Sequence, residues 1–357
     1  MIGERIQQAR KASGLSLRVL AEKTGVTAMA ISKYENNQST PSSGVLLALS
    51  NALRVRTEYF FRQVSVELKE VEYRKHSKLP KKVLAQIEGN VLEQIERYLT
   101  LEEILPVSPI QAFELPKSLP AKITDYDEIE RLANLLRKEW KLGQNPILDL
   151  TGTLEERGIK VFQAEALHDG KFDGLACRVN GAPIIVVGIN WPGDRQRFTL
   201  AHELGHLILN GRLSAELLEN EEKLAHRFAG AFLAPASEVL KELGSQRSWF
   251  EPRELCVLKK AYGLSMSAWL RRAQDLSIIN DATYLKMVKL FRKYGWHKQE
   301  PCDEYPREEP QVFTQLVFHA LAEDLVSESK AAELMGKSLR EFRALRKVDH
   351  ARSAINQ

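Results

Sequence analysis

The chain has 357 residues, enough for two or three domains, and its 44% hydrophobic and 27% charged residues exclude wholesale disorder. Formal net charge is only +4, yet through Arg62 there are 9 Lys/Arg against 4 Asp/Glu, which confines any electrostatic case for nucleic acid to the N-terminus. Scattered Cys177, Cys256 and Cys302 offer no disulfide framework and no run is long enough to span a bilayer, so a soluble protein of the reducing cytoplasm, with no membrane partner, is expected.

In chain order, residues 1–62 read as short helices broken by Gly14, Gly25 and the polar run 36–44. Residues 64–82 alternate apolar and charged and suggest a short strand. Val83, Ile87, Val91, Ile95 and Leu99 recur every four residues and predict a helix over 81–105. Pro106, Pro109, Pro116 and Pro120 then crowd a stretch that reads as a linker. A second unit opens with helices over 126–140 and 149–156, followed by strand-like runs at 160–166, 172–179 and 182–190. Pro192 and Gly193 introduce a helix over 194–209. Helices over 221–233, 254–262 and 265–275 follow, the last two hinged at Gly263, and the chain from about 310 is again helical with a basic end.

The decisive segment is "RFTLAHELGHLILN". His202 and His206, four apart, point from one face of a helix and can close on one cation, and imidazole nitrogen suits zinc. Glu203 lies between them, off the ligand face, where it can take a proton from a water whose pKa the cation lowers. A third protein ligand is needed, and "NEEKLAHRFAGAFLAP" offers Glu222 and His226, again four apart beside a buried stripe of Ala225, Phe228, Ala229 and Phe232. Glu222 is read as the ligand and His226 as the partner that orients it or a ligand histidine. Helix spacing leaves open His226 as the ligand instead. Glu221 falls within the arc of the apolar stripe and is the weaker candidate, while Lys223 and Arg227 are expected to face out.

"FTLAHELGHLIL" followed by "EKLAHRFAGAFLAP" resembles the ImmA/IrrE family of zinc metallopeptidases, over roughly residues 123–279. The resemblance implies a minimal-zincin-like α+β fold, Zn2+ held by His202, His206 and Glu222, and Glu203 as the base. It also implies a protein substrate, since members are implicated in clipping helix-turn-helix repressors in stress-response and mobile-element settings. This chain carries His226 where Asn or Asp is usual.

"LSLRVLAEKTGVTAMAISKYENN" has the rhythm of a helix-turn-helix: Ser16 caps a helix carrying Leu20 and Ala21, Gly25 turns, Val26 plugs the core, and Thr27 caps a second helix with Ile31 and Tyr34 buried. It resembles the Xre/Cro-repressor family, with Leu17 where Gln is usual. By that resemblance Thr27, Ala28, Met29, Ser32 and Lys33 lie at the DNA-facing start of the second helix, and Arg18 and Asn36 contact phosphates of double-stranded DNA. "SESKAAELMGKSLREF" repeats this rhythm near the C-terminus. For want of a basic recognition face it is read as a packing or oligomerisation element, and Arg346, Lys347 and Arg352 as a solvated tail. Cys177 reads as a half-buried structural thiol, and Trp249, Phe250 and Trp269 as core aromatics.

The expectation is therefore a multidomain protein. An all-α helix-turn-helix domain (1–62) and a helical connector with a Pro-rich linker (63–120) precede an α+β metallopeptidase domain (121–280) and a helical C-terminal region (281–357). Its expected function is that of a DNA-binding transcriptional regulator whose zinc endopeptidase cleaves a regulatory protein, either a helix-turn-helix repressor or itself. A homodimer and a toxin partner belong to the same expectation. The alternative is a non-catalytic transcription factor or antitoxin that uses the zincin-like domain for sensing or dimerisation.

Overall fold

The structure is a computed structural model that describes residues 2–53, 55–61, 81–107, 110–165 and 172–355. The strand expected within 64–82 falls outside the described residues. The N-terminal unit packs α1 (Ile2–Ala12), α2 (Leu17–Thr24), α3 (Ala28–Glu35), α4 (Ser43–Leu53) and a short 3-10 turn (Thr57–Phe61) around Ile6, Leu20, Ile31, Leu49 and Phe60. The Ser16 and Thr27 side chains accept from Val19 N and Ala30 N, and Gly25 takes a φ of 70° between the helices they cap. Tyr34, expected in the core, is only half-buried. The buried place on α3 goes to Glu35, whose carboxylate accepts from the Arg10 guanidinium at 2.8 Å.

Helix α5 (Lys81–Ile104) does more than connect. Its residues Ile87, Val91, Ile95 and Tyr98 share a core with one face of the sheet and with the C-terminal helices. That sheet is β1 (Lys160–Ala164), β2 (Gly174–Val179) and β3 (Ala182–Gly188) in the order β1-β3-β2, with β1 parallel and β2 antiparallel to β3. The run "PIIVVG" on β3 is apolar on both faces, and each face must be covered. Ile185 and Val187 enter the larger core beneath the sheet's other face, while Ile184 and Val186 enter the core shared with α5.

Among the described residues the Pro-rich stretch forms no helix or strand, in keeping with its prolines, but it is not a loose tether. A Cβ on Gly158 would stand 2.3 Å from the Gln111 carbonyl oxygen, so residues 111–113 run directly against that turn. Helices α6 (Glu128–Glu139) and α7 (Leu150–Glu156) precede β1, and α8 (Gly193–Leu209), α9 (Ala215–Leu218) and α10 (Glu221–Leu233) follow β3. They are followed by α11 (Ala236–Leu243), α12 (Pro252–Tyr262), α13 (Met266–Asp275) and α14 (Asp281–Lys293). Phe250 and Trp269 are fully buried in this core and Trp249 is half-buried at its edge.

An extended strap then returns over the start of α8. Glu300 accepts from Met266 N at 2.8 Å and from Lys259 at 2.9 Å, and Glu308 accepts from Thr151 N and pairs with Arg197. The strap also corrects the cysteine reading. Cys256 of α12 and Cys302 are joined by a disulfide across 46 residues of sequence, a pairing that scattered spacing hides. On the chain-entropy account a loop of that length favours the folded state by roughly 4 kcal/mol. Cysteine usage therefore no longer argues for a reducing compartment. Cys177 is fully buried rather than half-buried, and burial pushes its thiol up to about 12, with the Glu203 charge adding to the effect. No helix among the described residues is long and apolar enough to cross a membrane. Helices α15 (Val312–Ala322), α16 (Glu328–Leu334) and α17 (Leu339–Ile355) complete the cover over α5.

The N-terminal unit is fixed to this body by a buried ion pair. Arg5 of α1 bonds Glu96 of α5 at 2.6 Å, and their side chains are 2% and 7% exposed. The helices also meet where Gly89 lies against Ala12, a contact that a Cβ would close to 2.7 Å. Removing one partner of such a pair leaves a buried charge unmatched, at a cost of about 3–5 kcal/mol. Glu96→Ala should therefore speed amide hydrogen exchange across α1 by at least ~100-fold, since each factor of ten is about 1.4 kcal/mol. Unchanged exchange there would contradict this account of the joint.

Candidate metal centre

Helix α8 starts after Pro192, with Asp194 in its first turn, and ends at Asn210 before Gly211, whose φ is 73°. Its inward residues Leu200, Ala201, Leu204 and Ile208 are buried against the sheet and neighbouring helices. One turn of its flank carries His202 and His206. Helix α10 buries Ala225, Phe228, Ala229 and Phe232 completely, as its pattern requires. At Gly205 the two helices touch. A Cβ there would meet Phe228 Cδ1 at 3.1 Å and the Ala225 Cα and carbonyl oxygen at 3.3 Å, tighter than ordinary packing.

That approach carries Glu222 to the histidine pair. His202 Nε2 lies 3.1 Å from His206 Nε2 and 3.3 Å from Glu222 Oε2, and His206 Nε2 lies 3.5 Å from Glu222 Oε1. One ligand atom from each of the three falls within 4.8 Å of the others. Zinc held tetrahedrally at ~2.0–2.1 Å by nitrogen and oxygen sets its ligands roughly 3.3 Å apart, so the triangle is the right size for such an ion. The donor set fits too, with two imidazoles and one carboxylate leaving a fourth position open.

The surroundings favour a neutral His202 and a correctly turned His206. The His202 and His206 side chains are 12% and 11% exposed, against 40% for Glu222. Burial lowers His202 to about 4, outweighing its hydrogen bond to the Glu222 carboxylate, and keeps the ring uncharged as a ligand must be. His206 is pulled down by burial but raised on balance by its hydrogen bond to Glu221 and by the charges of Glu203, Glu222 and Glu221. Its Nδ1 lies 3.1 Å from Glu221 Oε1. Glu221 thus fixes the tautomer that turns Nε2 toward Glu222, a part the helical-wheel reading missed. The signal was the tandem Glu221–Glu222 at the start of α10.

Glu203 is 9% exposed, one position along α8 from His202. The start of β2 keeps its space clear, since a Cβ on Gly174 would fall 2.5 Å from Thr199 Cγ2 and 3.4 Å from Glu203 Cγ. His226 is exposed, and its Nδ1 lies 2.7 Å from the Glu222 carbonyl oxygen of its own helix. Its ring centroid is 4.2 Å from that of His202 and 5.8 Å from Phe198, so it flanks the cluster edge-on. Arg227, expected to face solvent, has a side chain only 13% exposed and bonds Asp127 at 2.9 Å, because α6 supplies acidic partners along that side of α10.

The residues expected to face DNA divide by exposure. Met29 is 70% exposed and Lys33 is exposed, whereas Ala28 packs partly against the core and Ser32 is half-buried. The Thr27 hydroxyl is engaged as the helix cap. Asn36 donates to the Ser32 carbonyl at 2.9 Å, and the 87% exposed Arg18 side chain meets Glu22 at 3.2 Å.

Residues 6–60 match the helix-turn-helix family model, and residues 154–274 match the peptidase-family model described as the IrrE N-terminal-like domain. The chain carries both domains. The chain is similar to y4aM and y4wC of Sinorhizobium fredii, each named an uncharacterised HTH-type transcriptional regulator. Identity to y4aM is 36% over 63 residues, 18% of this chain and 44% of the relative. Identity to y4wC is 34% over 71 residues, 20% and 50% respectively. It is also similar to YonR of Bacillus subtilis, an SPbeta prophage-derived uncharacterised HTH-type transcriptional regulator, at 34% over 62 residues, 17% and 57%. The chain spans about half the length of these relatives.

Two side-chain tests separate the candidate ligands. Glu222→Ala should lower affinity for a divalent metal at least ~10-fold, and Gly205→Val should do the same by forcing α8 and α10 apart. His226→Ala should leave affinity near the parent value. Chelator-competition titration reads all three, and loss of metal on removing His226 alone would overturn this ligand assignment.

Proposed function

We propose that the chain is a DNA-binding transcriptional regulator whose IrrE-like domain is a zinc-dependent endopeptidase acting on a regulatory protein. The observation that carries this reading is the convergence of His202, His206 and Glu222 with the carboxylate of Glu203 on the same turn. A zinc ion held by the three would polarise the scissile carbonyl and make water acidic enough to attack it near neutral pH. Glu203 accepts the proton of the attacking water and delivers it to the leaving amine. Glu221 holds His206 in register, and the buried, neutral His202 completes the cradle.

The N-terminal domain docks on double-stranded DNA, with Met29 and Lys33 at the groove and Arg18 toward phosphate, and two copies of the chain share an operator. The substrate is a helix-turn-helix repressor or the chain itself. The prophage origin stated in the name of YonR supports a mobile-element setting, with a stress or toxin–antitoxin circuit as the wider class.

The purified chain incubated with a helix-turn-helix repressor from its own genome tests this directly. Zinc-loaded protein should cleave the repressor or itself, and Glu203→Gln should retain the metal while losing at least ~100-fold in rate, the usual contribution of a general acid–base group. Full zinc occupancy with no cleavage of either protein would favour the non-catalytic regulator instead.

A further inference from the structure

The turn that joins α2 to α3 recurs twice further along the chain, position for position. In the first unit the cap Ser16 is followed by buried Leu20 and Ala21, by Gly25 at a φ of 70°, by the cap Thr27 and by buried Ile31. In α16–α17 the same offsets hold the cap Ser327, buried Ala331 and Ala332, Gly336 at a φ of 65°, Ser338 and buried Phe342. Ser338 opens α17 with a reciprocal cap. Its hydroxyl accepts from Glu341 N at 3.2 Å, and the Glu341 carboxylate accepts from Ser338 N at 2.7 Å. In α12–α13 the series is Leu258, Lys259, Gly263, Ser265 and Trp269, also buried at the core positions.

What distinguishes the three is the face offered by the second helix. Met29, Ser32 and Asn36 of the first unit correspond to Ser267, Leu270 and Gln274 of α13, where Leu270 is fully buried and Met266 beside it as well. Ser267 is exposed and Gln274 half-buried, and none of the three is basic. In α17 the corresponding residues are Arg340, Arg343 and Lys347, and all three are exposed. Residues 328–347 hold six basic residues, Lys330, Lys337, Arg340, Arg343, Arg346 and Lys347, against Glu328, Glu333 and Glu341. Glu328 pairs with Arg343 at 2.8 Å and Arg346 at 2.5 Å, and the Arg343 side chain remains 59% exposed. The basic face that was expected to be wanting is carried by α17, and Arg346, Lys347 and Arg352, expected in a solvated tail, lie on that helix.

We propose that α16–α17 is a second DNA-binding helix-turn-helix, which contacts the phosphates and groove of double-stranded DNA through Arg340, Arg343 and Lys347. Three features of its position suit that role. Gly336 rests directly over the Arg97 guanidinium of α5, where a Cβ would fall within 2.1 Å of Nη1. Arg97 is the neighbour of Glu96, which anchors α1 of the first unit. Both units are therefore seated on the same turn of α5, and one chain holds two DNA-facing helices in a fixed relation.

Fluorescence anisotropy of the full-length chain on a mixed-sequence duplex of about 30 base pairs, long enough for two footprints a helical turn or more apart, tests the proposal. Each phosphate contact adds about 0.9 to the slope of log K against log salt, so Arg340→Gln, Arg343→Gln and Lys347→Gln together should lower the slope by up to ~2.7 and weaken binding at least ~10-fold. The Lys-for-Arg version at 340 and 343, with Lys347 intact, should restore the slope. Neutralising Lys286, Lys289 and Lys293 on α14 removes the same charge elsewhere and should change neither quantity. A triple variant that matches the parent, or that alters only self-association in sedimentation, would overturn the proposal. Neither zinc nor cleavage enters this readout, so it can fail while the peptidase reading stands.

Discussion

The close contact of α8 with α10 at Gly205 is the constraint from which the candidate site follows. Histidines four apart on a helix will always share a face, but a third ligand from another element has to be brought within about an imidazole's reach. The missing side chain at Gly205 allows the Ala225 backbone to come close, and Glu222 then stands one turn before that contact. Phe228 and Phe232 behind it stack with centroids 5.7 Å apart and hold the second helix from moving outward. Arg137 reinforces the end of α10 by donating to the Phe232 carbonyl at 2.6 Å, and Arg272 does so by donating to Ala234 O at 2.9 Å. Buried, fully partnered guanidinium groups of this kind set helix ends in place with little freedom to drift.

A second constraint operates at the scale of domains. Helix α5 is shared by three things: the N-terminal unit, the outer face of the sheet, and the C-terminal helices. Gln94 donates to the Gln163 carbonyl on β1 at 2.9 Å, and Glu102 pairs with Lys160 of the same strand. The N-terminal helix-turn-helix, the C-terminal helices and the sheet are thus parts of one packed object, not modules on a string. Any event that shifts α5 against the sheet would be felt at both ends, because each of its faces carries a different partner.

Much of this was legible in the sequence, and the parts that were not share a cause. The helices around His202 and Glu222, the three strands and the caps at Ser16 and Thr27 are written in local periodicity and end chemistry, and they form where those signals predict. The role of Glu221 was not legible, because a helical wheel gives direction but not which neighbour stands there. The disulfide between Cys256 and Cys302 was hidden for the same reason, since only the returning strap makes them adjacent. The basic face of α17 was present in plain letters, but deciding that it is exposed required knowing that Phe342 on its other side is the buried residue. Long-range placement, not local conformation, separates what was read from what was missed.

The account rests on a single cation gripped by two imidazoles and one carboxylate. X-ray absorption at the zinc edge on the metal-loaded full-length chain examines that grip without reference to any substrate. The predicted spectrum has one zinc per chain, two imidazole nitrogens and carboxylate oxygen at about 2.0–2.1 Å, and no sulfur shell. A shell at about 2.3 Å typical of thiolate, or a zinc surrounded by oxygen alone, would contradict it.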